Sequence, residues 1–167
     1  VIDFHVLTMP DMRQDWLNQS VLSILDAAKQ AQVPVSVRLL PGIEGHIGRA
    51  RKQAFAAGTH PWVSWVDGDD WISRDAIAML ASHMDAARAV SGRGIHVHED
   101  GRMVRASRGL VLARREDADI FDWERYPYCG TCSFQDSLGG VHVDHHGYYR
   151  RRYDSPARKL RGDAPCG

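Results

Sequence analysis

A chain of 167 residues, 44% of them hydrophobic, is long enough to bury a core without disulfide or metal staples, and it reads as a single domain. Lys+Arg and Asp+Glu balance at 21 each, so no global field draws in nucleic acid or an anionic membrane, although positive charge gathers between Arg150 and Arg161. No apolar run approaches the ~20 residues of a bilayer span, no secretory signal pattern opens the chain, and three cysteines make no disulfide framework, so a soluble, cytoplasmic protein is expected.

Ile2 to Met9 is a short apolar run that predicts a buried strand, stopped by Pro10-Asp11. From Asp15 to Gln30, Leu17, Val21, Ile24, Leu25 and Ala28 recur at helical spacing, and Val33-Pro34 closes the helix. Val35 to Leu40 predicts a second strand, ended by Pro41-Gly42. A glycine-punctuated loop then leads into a helix with Ile47, Ala50, Ala54 and Ala57 on its apolar face and Gly58 at its end. Trp62 to Asp67 is a third strand. Ser73 is placed to cap the next helix, whose buried face is Ile77, Leu80, Ala81 and Met84 and which Ser91-Gly92 breaks. This β-α-β-α-β-α order predicts a mainly parallel sheet.

The second half changes character. Ile95 to Glu99 and Arg102 to Ala106 flank Asp100-Gly101, a hairpin signal, and Leu110 to Ala113 offers a further strand, so antiparallel pairing is expected. Glu116 to Gly140 shows no clear period and reads as a functional loop or short irregular helix, with Val141 to Asp144 returning as a strand. Residues 1–92 thus form one half, 93–149 the other, and 150–167 a basic tail.

Chemistry concentrates at the end of the third strand. Asp67, Asp69 and Asp70 place three carboxylates within four residues, an arrangement that repels itself unless a cation or donor groups neutralise it. In open α/β sheets ligands bind outside the carboxyl ends of the strands, where these residues fall. Hard oxygen ligands of this kind suit Mg²⁺ or Mn²⁺, with diphosphate oxygens and water completing the shell. The alternative is a turn in which Asp69 or Asp70 caps the following helix. Three histidines, His142, His145 and His146, form a second concentration; they read either as a surface cluster or, with Cys129 and Cys132, as a tetrahedral zinc site. Trp123, Tyr126, Tyr128 and Phe134 serve either as packing or as a stacking platform for a sugar or base. Asp136 is the candidate base for deprotonating an acceptor hydroxyl, with Asp119, Asp122 and Glu124 as competitors.

Val66-Asp67-Gly68-Asp69-Asp70-Trp71-Ile72 resembles the Asp-x-Asp-Asp motif that ends the third strand of the GT-A glycosyltransferases, particularly the family 2 nucleotide-sugar transferases. Further matches follow in order: Leu7-Thr8-Met9-Pro10, the helix Gly48-Arg49-Ala50-Arg51-Lys52-Gln53-Ala54, and the ending Gly147-Tyr148-Tyr149-Arg150-Arg151-Arg152-Tyr153-Asp154-Ser155. The resemblance implies a Rossmann-type mixed sheet, parallel in its first half and antiparallel in its second. It implies a metal-dependent transferase that moves a sugar, of hexosyl type, from a nucleoside-diphosphate sugar to an acceptor hydroxyl on a glycan, a small molecule or modified nucleic acid. Thr8 and Pro10 would line the nucleoside pocket, Arg51 would approach base or phosphate, and Gly68 and Arg150 would contact the donor. Asp67 would contact ribose or metal, Asp69 would be the principal metal ligand, and His145 would complete the metal site. The chain departs from the family at Leu39-Leu40-Pro41-Gly42, where an aspartate for the base often stands, and at Lys52 and Ala54. Two other readings share these features: a nucleotidyltransferase on a related fold, and a zinc-stapled nucleic-acid-binding module without catalysis.

Overall fold

The structure, a computed structural model, describes residues 1–126 and 131–153. One mixed sheet organises it. Strands β1 (Ile2–Thr8), β2 (Val35–Pro41) and β3 (Trp62–Asp67) are parallel in the order β2-β1-β3. Helices α1 (Gln14–Ala31) and α2 (Ile47–Ala56) make the crossovers. The sheet continues through β7 (Val111–Arg114), β5 (Ala89–His98) and β8 (Val141–Arg152) to the two-residue β4 (Trp71–Ile72), while β6 (Met103–Ala106) pairs only with β5. Because β7 is antiparallel to both β3 and β5, and β8 is parallel to β5, strands β1, β3, β5 and β8 all point the same way. Their carboxyl ends therefore share one end of the sheet.

Two apolar layers cover the sheet. Ile24 of α1 and Ile77 and Leu80 of α3 (Ala76–Ala81) pack with Ile2, Phe4, Val6, Trp62 and Val66 on one face. Phe55 of α2 packs with Val63, Trp65, Trp123 and Phe134 on the other. Alternation along β3 thus sends Asp67 toward the α2 face, the side from which Arg51 approaches.

Five elements differ from the sequence expectation. The third helix ends at Ala81, followed by a 3-10 turn at Met84–Ala86, and Ser91-Gly92 lies inside β5 rather than breaking a helix. A Cβ at Gly92 would sit tightly, 3.0 Å from the His145 carbonyl oxygen, and the β5–β8 register shifts at this point, so the glycine marks a bulge. Ser73 does not cap α3; its hydroxyl donates to Asp75 Oδ1 at 2.6 Å. The 116–140 region contains α4 (Arg115–Ile120), a 3-10 turn at Trp123–Arg125 and α5 (Thr131–Leu138), gathered around buried Trp123 and Phe134 with ring centroids 5.0 Å apart. The last strand runs to Arg152, so Arg150, Arg151 and Arg152 belong to the sheet and not to a tail.

Candidate functional site

Asp67 ends β3 as a nearly buried carboxylate. Arg51 Nη2 donates to its Oδ1 at 3.1 Å, and the Arg51 guanidinium also lies 5.2 Å over the Trp65 ring, so α2 delivers a desolvated cation to the strand end. The turn that follows is tight: the Asp70 amide donates to the Asp67 carbonyl at 2.8 Å, and the Gly68 amide donates to the Leu7 carbonyl at 2.9 Å. A side chain at position 68 would bring its Cβ within 2.5 Å of Met12 Sδ and 2.9 Å of the Leu7 oxygen. Gly68 is therefore needed for the close approach of the β1 end to this turn.

Asp70 is not a helix cap. It is buried, its Oδ2 accepts from the Tyr148 hydroxyl at 2.9 Å, and its Oδ1 accepts from the Arg151 backbone N–H at 3.0 Å. The Tyr148 oxygen also accepts from the Asp67 N–H at 3.3 Å, so one phenol ties both ends of the acidic turn to β8. Burial, reinforced by the charges of Asp69 and Asp67, pushes the Asp70 carboxyl well above the usual carboxylate range. Burial also raises the Tyr148 phenol, and Asp70 and Asp67 raise it further. Asp69, half-buried between its neighbours, has its backbone carbonyl bonded by Arg151 Nη1.

The remaining donor candidates distribute as parallel strand ends require. Thr8 stands at the end of β1 and donates to the Leu40 carbonyl at 3.3 Å, while Pro10 is exposed just beyond it. Arg150 reaches the same end from β8, its guanidinium 5.3 Å over the Tyr148 ring and its charge felt by Asp70. The structure thus gathers Arg51, Asp67, Gly68, Asp69 and Arg150 around one turn, with Thr8 at the neighbouring strand end.

His145 does not join them. Its Nε2 lies 3.3 Å from Asp75 Oδ1 and 3.5 Å from Ser73 Oγ. The reason is the register of β8 on β5: His146 pairs with Arg93 and Tyr148 with Gly94, and the shift between them leaves Tyr148, not His145, level with the aspartates. His142 bonds instead with Ser91 Oγ at 2.9 Å, in a cavity of about 210 Å³ that Gln135 and Asp136 also line. His142 and His145 have these separate partners, while Cys129 and the Cys132 side chain of the expected zinc site lie outside the described residues. So do Tyr128, Asp154 and Ser155. Asp136 is exposed on α5 and forms an ion pair with Arg108 at 2.6 Å, rather than with any member of the acidic turn. Trp123 and Phe134 are core residues, and Tyr126 stacks on Phe121 at 5.4 Å.

Among the described residues no group of three or more His, Cys, Asp or Glu side chains is gathered to hold a metal ion. The donor set still suits Mg²⁺ or Mn²⁺. Such ions are commonly held by one or two carboxylates and take their other oxygens from water and phosphate, which matches the Asp67–Asp69 pair better than a closed cage. Sequence reasoning had Tyr148 and Arg151 in the matched ending, but not their bonds to Asp70 and Asp69, and it gave Trp16 no role. The available signal was the concentration of tyrosine and arginine from Gly147 to Tyr153.

Comparison with known proteins gives two consistent findings. The family model described as glycosyl transferase family 2 matches residues 18–152. Among solved structures, S. aureus TarS residues 1–349 in complex with UDP-GlcNAc superposes with a TM-score of 0.64 at 14% identity, covering 98% of this chain and 61% of that one. The same TarS fragment in complex with UDP gives 0.63 at 16% identity, covering 90% of this chain and 60% of that one. The bifunctional IspDF from Campylobacter jejuni gives 0.59 at 8% identity over 87% of this chain and 49% of its own. At identities this low the superpositions show a shared GT-A-like fold and nothing beyond it. The chain spans about 60% of the TarS fragment's length. No curated protein matches by sequence, and among the described residues no helix is long and apolar enough to cross a membrane.

Proposed function

Because the chain belongs to glycosyl transferase family 2, we propose that it binds a nucleoside-diphosphate sugar at the carboxyl ends of β1 and β3 and transfers the sugar, of hexosyl type, to an acceptor hydroxyl. The observation that carries this reading is the Arg51–Asp67 pair beside Asp69, with Arg150 brought alongside by β8. Thr8 and Pro10 line the nucleoside side. Asp67, its charge partly balanced by Arg51, accepts from a ribose hydroxyl. Arg150 presents planar donors to the diphosphate. Asp69, with Asp67, would hold Mg²⁺ or Mn²⁺. Bound there, the cation would supply positive charge that stabilises the diphosphate leaving group.

The acceptor side lies in the second half of the chain. Asp136 lines the cavity of about 210 Å³ together with Ser91, Arg108, Gln135 and His142. Gln135 is buried beside this cavity. Asp136 would take the proton from the attacking hydroxyl.

The fold is shared with TarS fragments crystallised with UDP and UDP-GlcNAc, which makes these the first probes. A thermal-shift screen of nucleoside diphosphates and UDP-sugars, with Mn²⁺ and with chelator, tests the reading. Metal-dependent stabilisation by at least one nucleotide is expected. A protein indifferent to every nucleotide contradicts it.

A further inference from the structure

Resting on the donor reading above, we propose that Arg151 is a positioning residue: held as a cation between Trp16 and Trp71, it fixes the Asp67–Asp70 turn so that Asp69 faces the metal-bound diphosphate. Three elements meet at this guanidinium. Its Cζ lies 4.9 Å from the centroid of Trp16 on α1 and 4.6 Å from that of Trp71 on β4. Nη1 donates to the Asp69 carbonyl and Nη2 to Gln19 Oε1. The backbone N–H of the same residue donates to Asp70 Oδ1 at 3.0 Å. One residue of β8 thus grips the peptide of Asp69 and the side chain of Asp70 together.

The two rings are themselves anchored. Trp71 stacks on Tyr149 with centroids 5.2 Å apart and an interplanar angle of 6°, as the antiparallel pairing of these two residues requires. Trp16 meets Tyr153 edge-on at 5.8 Å. A planar guanidinium can lie against both rings and still donate in its own plane, whereas an ammonium is a compact point charge that cannot span both tasks. The position of the cation matters because three neighbouring carboxylates repel one another, and a turn that carries them splays unless its peptide groups are held. Arg151 spends its donors on the protein, in contrast to Arg150, and so acts on the donor only through Asp69.

The test compares wild type with Arg151→Lys, Trp71→Phe and Trp71→Ala. Amide hydrogen exchange is read in the nucleotide-free protein, and UDP with Mn²⁺ is titrated by calorimetry. Arg151→Lys is expected to speed exchange over 68–71 by about tenfold while β1 keeps its protection, and to weaken UDP·Mn²⁺ by about tenfold. Trp71→Phe, which keeps a ring face, should stay close to wild type, and Trp71→Ala should follow Arg151→Lys. Unchanged exchange over 68–71 in Arg151→Lys, or faster exchange spread through the whole sheet, overturns the positioning role. Wild-type protein that binds no UDP with Mn²⁺ overturns the donor reading instead, and the two failures are read from separate measurements.

Discussion

The Tyr148 hydroxyl donates to Asp70 Oδ2 at 2.9 Å across 78 residues of sequence, and both groups are buried. This bond joins the last strand to the acidic turn and explains why a third carboxylate is tolerated there. Tyr148→Phe keeps the ring and removes the hydroxyl, leaving Asp70 short of a donor and the Asp67 N–H short of an acceptor. It should destabilise the protein by about 1–3 kcal/mol in denaturant unfolding, the usual consequence of an unsatisfied buried partner. An unchanged midpoint would mean that water replaces the phenol.

Arg51 and Asp67 form a buried pair, with side-chain exposures of 6% and 12%. Removing one partner strands the other charge, so Arg51→Ala should cost about 3 kcal/mol or more, and Asp67→Ala alone should also destabilise. The double variant should be less unstable than the sum of the singles by roughly 1–3 kcal/mol in a double-mutant cycle. Strict additivity would show that the two groups do not act as a pair.

His5 gives the fold a pH dependence that is independent of the candidate site's own chemistry. It is fully buried in β1 against Phe55, and neither ring nitrogen has a hydrogen-bond partner among the described residues. Burial, then the Arg115 charge, pushes its pKa from 6.5 down to about 4; Arg38 and Arg51 act in the same direction and Asp3 against it. The fold therefore holds the neutral ring, and the unfolded chain takes up a proton first. The stability contributed is fully present above pH 6.5 and is lost as pH falls toward 4. The shift corresponds to about 3 kcal/mol at most. His5→Leu should flatten this part of the stability profile, measured by denaturant unfolding from pH 8 to pH 4, and a slope that persists assigns it to other groups.

How much of this was legible in the sequence depended on the range of the signal. β1, α1, β2, α2 and β3 were readable because each has a single period or a continuous apolar run bounded by proline or glycine, and β3 was placed to the residue. β8 was half hidden, since His145, His146 and three arginines look like a solvated segment until strand pairing covers them. Ser91-Gly92 misled because a glycine that admits a neighbouring strand reads like one that ends a helix. α4 and α5 are too short to show a period. The acidic turn was visible as chemistry, but the roles within it were not: Asp70 depends on Tyr148 and Arg151, and only the register of β4 on β8 brings them together.

Asp136 and Asp69 should separate in their effects. Asp136 pairs with Arg108 beside the cavity of about 210 Å³, so Asp136→Asn should leave UDP affinity in Mn²⁺ unchanged while lowering turnover once an acceptor is supplied. Parallel calorimetry and a nucleotide-release assay check this. A loss of UDP affinity in Asp136→Asn would place this carboxylate in the donor site.

The central claim is that the turn after β3 binds a nucleoside diphosphate through a metal held by Asp69. Calorimetric titration of UDP into wild type and Asp69→Ala, each with Mn²⁺ and with chelator, tests it most directly. Wild type should bind in Mn²⁺, lose binding in chelator, and Asp69→Ala should fail to bind even with Mn²⁺. Equal binding by wild type and Asp69→Ala in Mn²⁺, or wild-type binding that ignores chelator, would contradict it.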